Sequence, residues 1–264
     1  MIHWYNFLLV KMRNSALIIF GLLVIVACSE KEQTNTSKSK LFTSISSEKS
    51  GISFENSLFF KEHLNIIDYL YYYNGGGVAV GDVNNDGLDD IFLTANQLPD
   101  KLYINKGNLQ FEDISKNAGI SIDSTWSSGV SMEDLNNDGL LDIYFTGNQV
   151  GDKLYLNKGN LKFEDITLAA GILDKGGWST HVSMVDINND GFKDIYVCKS
   201  LYDGREDLRE NELYINNGDL TFSESAVKYN LNDRNRTTEA NFFDFDRDGD
   251  FDVFLVNQPK NSSF

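Results

Sequence analysis

A nine-residue acidic stretch that recurs four times along the chain limits the possible folds more than any other feature. It reads DVNNDGLDD from Asp82, DLNNDGLLD from Asp134, DINNDGFKD from Asp186 and DFDRDGDFD from Asp244. The intervals between successive copies are 52, 52 and 58 residues. Agreement this close at a nearly fixed period indicates an array of structural repeats.

A second element keeps the same period and completes each repeat. It reads DKLYINKGNLQFEDIS from Asp100, DKLYLNKGNLKFEDIT from Asp152 and ELYINNGDLTFSESA from Glu212. Apolar segments in the first repeat predict four short strands, at 78–80, 91–93, 102–104 and 109–111. Four antiparallel strands in a repeat of this length are typical of one propeller blade. We therefore predict an all-β fold, a β-propeller of four-stranded blades, over residues 41–264.

The ends of the array differ from its middle. Residues 41–46 match the outermost strand at 111–115, so we expect the chain to open with a strand that belongs to another blade. The fourth unit lacks the LYxN hairpin, so about four blades are expected here and the last is incomplete. We predict a truncated sequence, and a closed four-bladed ring is the alternative. Residues 61–73 are the nearest candidate for a helix, although tyrosine alternation at 69–73 favours a strand.

The acidic stretches carry the oxygen ligands that calcium prefers. Side chains at positions 1, 3, 5 and 9 supply carboxylate or amide oxygens, glycine at position 6 permits a sharp turn, and position 7 offers its backbone carbonyl. The absence of nitrogen and sulfur ligands argues against zinc or copper. The predicted metal ligands are Asp82, Asn84, Asp86, Leu88, Asp90, Asp134, Asn136, Asp138, Leu140, Asp142, Asp186, Asn188, Asp190, Phe192, Asp194, Asp244, Asp246, Asp248, Asp250 and Asp252.

These stretches are not EF-hands, because position 12 is apolar in every copy where an EF-hand has a bidentate Glu. Asx-rich turns without metal are the alternative. We predict about four Ca²⁺ ions. The fourth loop has Asp246 where the other loops have Asn, so it should bind calcium most tightly.

The N-terminus predicts export and lipid attachment. Lys11 and Arg13 precede the apolar run 16–27, which is too short to span a bilayer and suits a signal peptide at residues 1–27. Cys28 follows a lipobox-like Ile-Val-Ala and is the predicted lipidation site. Residues 28–40 then form a flexible tether. A plain membrane anchor or an ordinary signal with a chance cysteine is the alternative, and either Met1 or Met12 is the start.

The repeats resemble the FG-GAP or VCBS family, the calcium-loop blades of integrin α-chain propellers. The VGDVNNDG stretch at 80–87, its echoes and the LYxNxGNLxFEDIT segments carry this resemblance. The segment YNGGGVAVGD at 73–82 and the FEDIT and AGI motifs within 163–172 are similar to bacterial ASPIC/UnbV-type (CRTAC-like) proteins. The resemblance implies a seven-bladed propeller in full-length relatives, with calcium ligands on the four loops.

Two functional classes follow from these features. The first is a cell-surface or outer-membrane lipoprotein that binds an extracellular protein or glycan. The second is the propeller portion of a secreted, calcium-dependent enzyme acting on glycans or lipids. The net charge of −16 argues against a nucleic-acid partner. No catalytic constellation is visible, so we predict a non-enzymatic protein.

Three side chains outside the loops are candidate ligand contacts. Trp126 and Trp178 lie 52 residues apart, at the predicted entry to the innermost strand of two blades. They either line the axial mouth, where they would stack on a ligand, or pack between blades, which is the favoured reading. His181 occupies the slot of Gly129 in the preceding repeat and is the third candidate.

Overall fold

The computed structural model describes residues 41–69, 71–120, 126–148, 150–173, 175–200 and 205–259. The chain divides into two units, residues 1–44 and 45–264. The predicted signal peptide and tether, with Cys28, lie outside the described residues. In the part of the chain that is described, no helix combines the length and apolar character needed to cross a membrane.

Antiparallel sheets make up almost all of the second unit. The first three sheets have four strands each, in simple sequence order, and the fourth sheet has two. The strands are β1 (Val78–Gly81), β2 (Asp90–Leu93), β3 (Lys101–Asn105), β4 (Phe111–Asp113), β5 (Ser127–Glu133), β6 (Asp142–Gly147), β7 (Lys153–Asn157), β8 (Phe163–Asp165), β9 (Trp178–Val185), β10 (Asp194–Ser200), β11 (Glu212–Asn216), β12 (Phe222–Glu224), β13 (Thr237–Phe243) and β14 (Asp252–Asn257).

The register is the same from sheet to sheet. Ile91 pairs with Tyr103, Ile143 with Tyr155 and Ile195 with Tyr214, each at the same place in its repeat. The prediction of an all-β, propeller-type fold is therefore confirmed, with three complete blades and two strands of a fourth in the described residues. Helical structure there is limited to α1 (Ser47–Ser50), α2 (Ser115–Ala118) and one 3-10 turn at Glu206–Leu208.

Three local predictions were wrong. The outer strand of the first blade begins at Phe111 rather than at residue 109, because Leu109 adopts a left-handed backbone (φ 60°) and extends the turn. Residues 41–46 do not form the expected strand, and α1 begins directly after them, at Ser47. Residues 71–73 form turns rather than a strand or helix, and Tyr69 and Tyr71 are both buried.

Neighbouring blades pack face to face through apolar side chains. Phe92 of the first blade stacks on Phe145 of the second at a centroid distance of 5.7 Å. A glycine after the outer strand allows a second close approach, because a Cβ on Gly119 (φ 88°) would lie 2.8 Å from the carbonyl oxygen of Phe163. Gly51, after α1, makes the same approach to Phe111, so the α1 turn packs on the first blade as α2 packs on the second.

The segment at 56–74 crosses one end of the blades. Tyr69 accepts a hydrogen bond from Asn148 Nδ2 (2.8 Å), after the second strand of the second blade. Tyr71 lies 2.8 Å from Ser200 Oγ and donates to Gln258 Oε1 (3.0 Å), so it joins the third and fourth blades. Three tyrosines of this segment pack with two tryptophans of the blades. We term this group the aromatic cluster: Tyr69, Tyr71, Tyr72, Trp126 and Trp178.

Candidate functional site

The acidic loops join the first and second strands of each blade, and the first three share one backbone design. Asp82 at position 1 accepts hydrogen bonds from the backbone N–H groups of Asp86 (3.1 Å) and Gly87 (2.7 Å). Asn85 (φ 59°) and Gly87 (φ 84°) are both left-handed, which turns the chain sharply enough for these contacts. Burial raises the pKa of Asp82, but the backbone donors outweigh it and lower the pKa overall.

The side chains at positions 3 and 5 turn inward on the same loop. Asn84 Oδ1 accepts from the N–H of Asp86 (3.0 Å), and Asp86 Oδ1 accepts from the N–H of Leu88 (2.9 Å). The second and third loops repeat both contacts. Each of these oxygens has a second lone pair, so the contacts leave it able to bind a cation.

The aspartate at position 9 is the most buried ligand and ties the loop to the sheet. Asp142 Oδ2 accepts from the N–H of Leu135 (3.1 Å), and its Oδ1 accepts from the N–H of Asn157 (2.8 Å) on β7. Burial, together with the charges of Asp138 and Asp134, raises the pKa of Asp142 to about 6 against the two backbone donors. A cation in the loop would relieve both effects.

The equivalent residues of the first and third blades behave in the same way. Asp90 and Asp194 are fully buried, and burial raises the pKa of each above its ordinary value. Nearby loop carboxylates raise it in both, so crowded negative charge is a property of the loop design rather than of one blade.

The fourth loop brings its carboxylates closest together. One oxygen from each of Asp244, Asp246 and Asp252 lies within 4.8 Å of the others, and among the described residues no other trio of His, Cys, Asp or Glu does so. Calcium–oxygen distances are about 2.3–2.6 Å, so oxygens at this separation fit a single ion. Asp248 instead accepts from the N–H of Asp250 (3.1 Å).

The position of Asp252 follows from its surroundings. It accepts from the N–H of Phe245 (2.8 Å), as position 9 does elsewhere, but no described third strand supplies a second backbone donor. Asp252 is half-buried where its counterparts are buried, and one of its oxygens belongs to the carboxylate trio. The donor set contains oxygen alone, so the residues of this loop fit calcium.

The asparagine that ends each LYxN strand also belongs to the site, although the sequence pattern indicated only a turn at this place. Asn157 ends β7 and donates from Nδ2 to the carbonyls of Val83 (2.8 Å) and Leu141 (3.1 Å), while Oδ1 accepts from the N–H of Gly159 (2.9 Å). Val83 is position 2 of the preceding blade's loop. The sequence does contain an indication of this role, because every LYxN segment has asparagine at its last position.

Asn216 repeats this contact one blade further on. Its Nδ2 donates to the carbonyls of Leu135 (2.8 Å) and Lys193 (3.1 Å). Each of these asparagines therefore joins its own loop to the loop of the blade before it.

The three candidate ligand contacts lie at the end of the blades that the 56–74 segment crosses. Trp126 and Trp178 are only 5% and 8% exposed, and Tyr69 packs edge-on against both rings at 4.9 and 4.8 Å. Trp126 and His181 line a cavity of about 230 Å³, which we term the axial cavity, and Trp178 is not in its lining. Burial lowers the pKa of His181.

Comparison with known proteins identifies the repeat. A family model described as an FG-GAP-like repeat matches residues 82–145, 134–197 and 201–255. Cartilage acidic protein 1 is 30% identical over 192 residues in both Mus musculus and Homo sapiens, covering 70% of this chain and 29% and 28% of those proteins. The Xenopus tropicalis protein of the same name is 36% identical over 99 residues, covering 36% of this chain and 15% of its own length.

The chain spans less than a third of the length of these curated relatives. The family model, in contrast, covers all four acidic loops, and its last match ends at residue 255. The chain therefore belongs to the FG-GAP-like repeat family.

Proposed function

We propose that this protein is a calcium-stabilised repeat domain, displayed outside the cytoplasm, that binds an extracellular protein or glycan. The observation that carries the proposal is the fourth loop, where three carboxylates come within 4.8 Å of one another. The inward-turned oxygens and shared turn geometry of the other three loops support it. Calcium would hold the hairpins in place, and the chain's own residues would bind the partner.

The expected contribution of calcium is comparable with the stability of a whole domain. Extracellular calcium modules bind at about 0.1–1 mM. With free calcium at about ten times that constant, each site adds about 1.4 kcal/mol, and four sites add about 6 kcal/mol. Net domain stability is about 5–15 kcal/mol, so loss of calcium would remove much of it.

The first test is thermal unfolding of the full chain in millimolar calcium and in a chelator, followed by circular dichroism. We expect a clearly higher melting temperature in calcium, and a smaller shift in equimolar magnesium, which prefers a tighter octahedral site. An identical melting temperature in calcium and chelator would refute the calcium role.

A reciprocal exchange at position 3 tests which loop binds most tightly. Asp246→Asn removes one carboxylate from the fourth loop, and Asn84→Asp adds one to the first. We expect the tightest site seen by calorimetry to weaken by about tenfold in Asp246→Asn. Asn84→Asp is the matched variant and should strengthen one weaker site. If neither exchange changed any site, the loops would not be the ligands.

The binding role is tested separately, with the purified chain applied to glycan and protein arrays. The curated relatives are named cartilage acidic protein 1, a name that refers to a tissue rather than to a cell compartment and supports an extracellular partner. We expect at least one class of array ligand to bind in calcium and to be released by chelator. Failure to bind any ligand in either condition would count against the binding module.

A further inference from the structure

We propose that the axial cavity binds a single neutral sugar ring. This inference rests on the proposed binding function and narrows it to one ligand class and one place. The cavity lies among the entries to β1, β5 and β9, the first strands of three successive blades, and beside the aromatic cluster.

The lining is polar but uncharged. Its members in the described chain are amides, hydroxyls, glycines, one indole and one imidazole, among them Asn96, Ser128 and Thr180. No carboxylate or cationic group is among them, although the chain as a whole carries a net charge of −16. Such a lining offers hydrogen bonds to hydroxyl groups and no compensation for a charged ligand.

Asn148 supplies the specific indication of a ligand. It is 4% exposed, and its Nδ2 donates to the hydroxyl of Tyr69 (2.8 Å). Its Oδ1 is buried and has no hydrogen-bond partner among the described residues. A buried carbonyl oxygen without a donor is unfavourable, which favours a shift of the Asn148 side chain that brings Oδ1 to the cavity surface, where a ligand hydroxyl can donate to it.

The lining groups and the cavity size together favour a sugar ring. Trp126 offers an apolar edge. Burial lowers the pKa of His181 against the charge of Glu239 and a backbone hydrogen bond with Ala240, and its Nε2 lies 3.3 Å from Ser183 Oγ, so the ring adds an uncharged surface to the lining. The volume of about 230 Å³ is below the range for drug-sized ligands, which suits one ring rather than a longer segment.

Gly75 gives a clean way to block the cavity. A Cβ placed there would meet no atom within 4 Å, and the residue does not have a left-handed backbone. Gly75→Trp should therefore fold normally while filling the mouth. Gln110→Trp is the matched control, since it places the same ring on an exposed hairpin of the first blade, away from the cavity.

The experiment is calorimetric titration of the full chain with five neutral monosaccharides, namely glucose, galactose, mannose, fucose and N-acetylglucosamine, and with glucuronate, in calcium. We expect one neutral sugar to bind the wild type and Gln110→Trp equally, and Gly75→Trp at least tenfold more weakly. Equal melting temperatures of the variants check that each one folds.

Four outcomes separate this inference from the proposed function. Loss of neutral-sugar binding in Gly75→Trp supports the inference. Unchanged binding in Gly75→Trp, or preference for glucuronate, overturns it and leaves the binding role intact. Array binding to a protein alone, with no response to any sugar, also overturns it and leaves the binding role intact. No ligand of any class would overturn both.

Discussion

The aspartate at loop position 9 connects calcium chemistry with the fold. Asp142 is buried, and both of its oxygens accept backbone N–H groups, one from its own loop and one from β7. A negative charge in this place is unfavourable without a cation, because the loop already contains Asp134 and Asp138. Asp142 is therefore needed to shape the hairpin, but its charged form is unfavourable when the loop holds no cation.

The raised pKa of Asp142 predicts that the unfolding free energy depends on pH differently with and without calcium. In chelator, the folded state keeps a proton up to about pH 6 that the unfolded state releases near pH 3.8, so the unfolding free energy falls as pH rises between these values. For Asp142 the fall in unfolding free energy over this pH range is at most about 3 kcal/mol. Asp90 and Asp194 act in the same direction. In calcium, acid protonates the ligands, so stabilisation by calcium weakens as pH falls through about 6.

Urea unfolding between pH 4.5 and 7.5 measures this difference. Asp113 and Asp165, each paired with a lysine, have lowered pKa values and titrate below that window. Asp142→Asn is the control, because it cannot ionise and should reduce the slope of the chelator curve, leaving the contributions of Asp90 and Asp194. Parallel curves in calcium and chelator would contradict the prediction.

At the scale of the element, the repeat pattern predicted strand order but not the contacts between blades. The acidic loop and the LYxN strand appear where their patterns place them, whereas the outer strand of the first blade begins two residues later than predicted. Asn157 contacts Val83, 74 residues earlier, and no local pattern reports a contact at that separation. The turn at 71–73 was missed for a similar reason, since Tyr71 and Tyr72 pack with tryptophans of the second and third blades. Leu109 is 52% exposed and its left-handed backbone recurs at Leu161 and Leu220, so that feature belongs to the local turn.

Asn157 and Asn105 provide a matched test of coupling between blades. Asn157→Ala removes three hydrogen bonds from a buried site, including the bond to the preceding blade, and should destabilise by about 2–3 kcal/mol. Asn105→Ala removes two bonds within its own blade, at a more exposed site, and should cost about 1 kcal/mol. Urea midpoints in saturating calcium measure both losses, and equal losses would mean that the inter-blade bond adds nothing.

At the scale of the whole molecule, repeats with the same register stack through conserved geometry from one blade to the next. The close approach of Gly119 to Phe163 recurs between Gly171 and Phe222. The distance from a Cβ placed on the glycine to the phenylalanine carbonyl oxygen is 2.8 Å in the first case and 3.2 Å in the second. The sequence predicted this regularity because every blade uses the same motifs. It could not predict that the 56–74 segment covers the blade ends, since that segment has no counterpart in the other repeats.

The predicted lipid anchor is tested on the full-length protein in its host membrane. We expect Cys28→Ala to abolish labelling with radioactive palmitate and to move the protein from the membrane fraction to the soluble fraction. Cys198→Ala is the control, because Cys198 is a buried thiol on β10 and should not affect either readout. Undiminished labelling in Cys28→Ala would exclude this cysteine as the attachment site.

Successive acidic loops also touch one another directly. Asn85 Nδ2 donates to the carbonyl of Gly139 (2.8 Å), and Asn137 Nδ2 donates to the carbonyl of Gly191 (3.1 Å). An ion that orders one loop would fix the hydrogen-bonding group on which its neighbour depends and so reduce the entropy lost when that neighbour fills. Occupancy of these three loops should therefore rise together, over a narrower span of calcium concentration than independent sites would give.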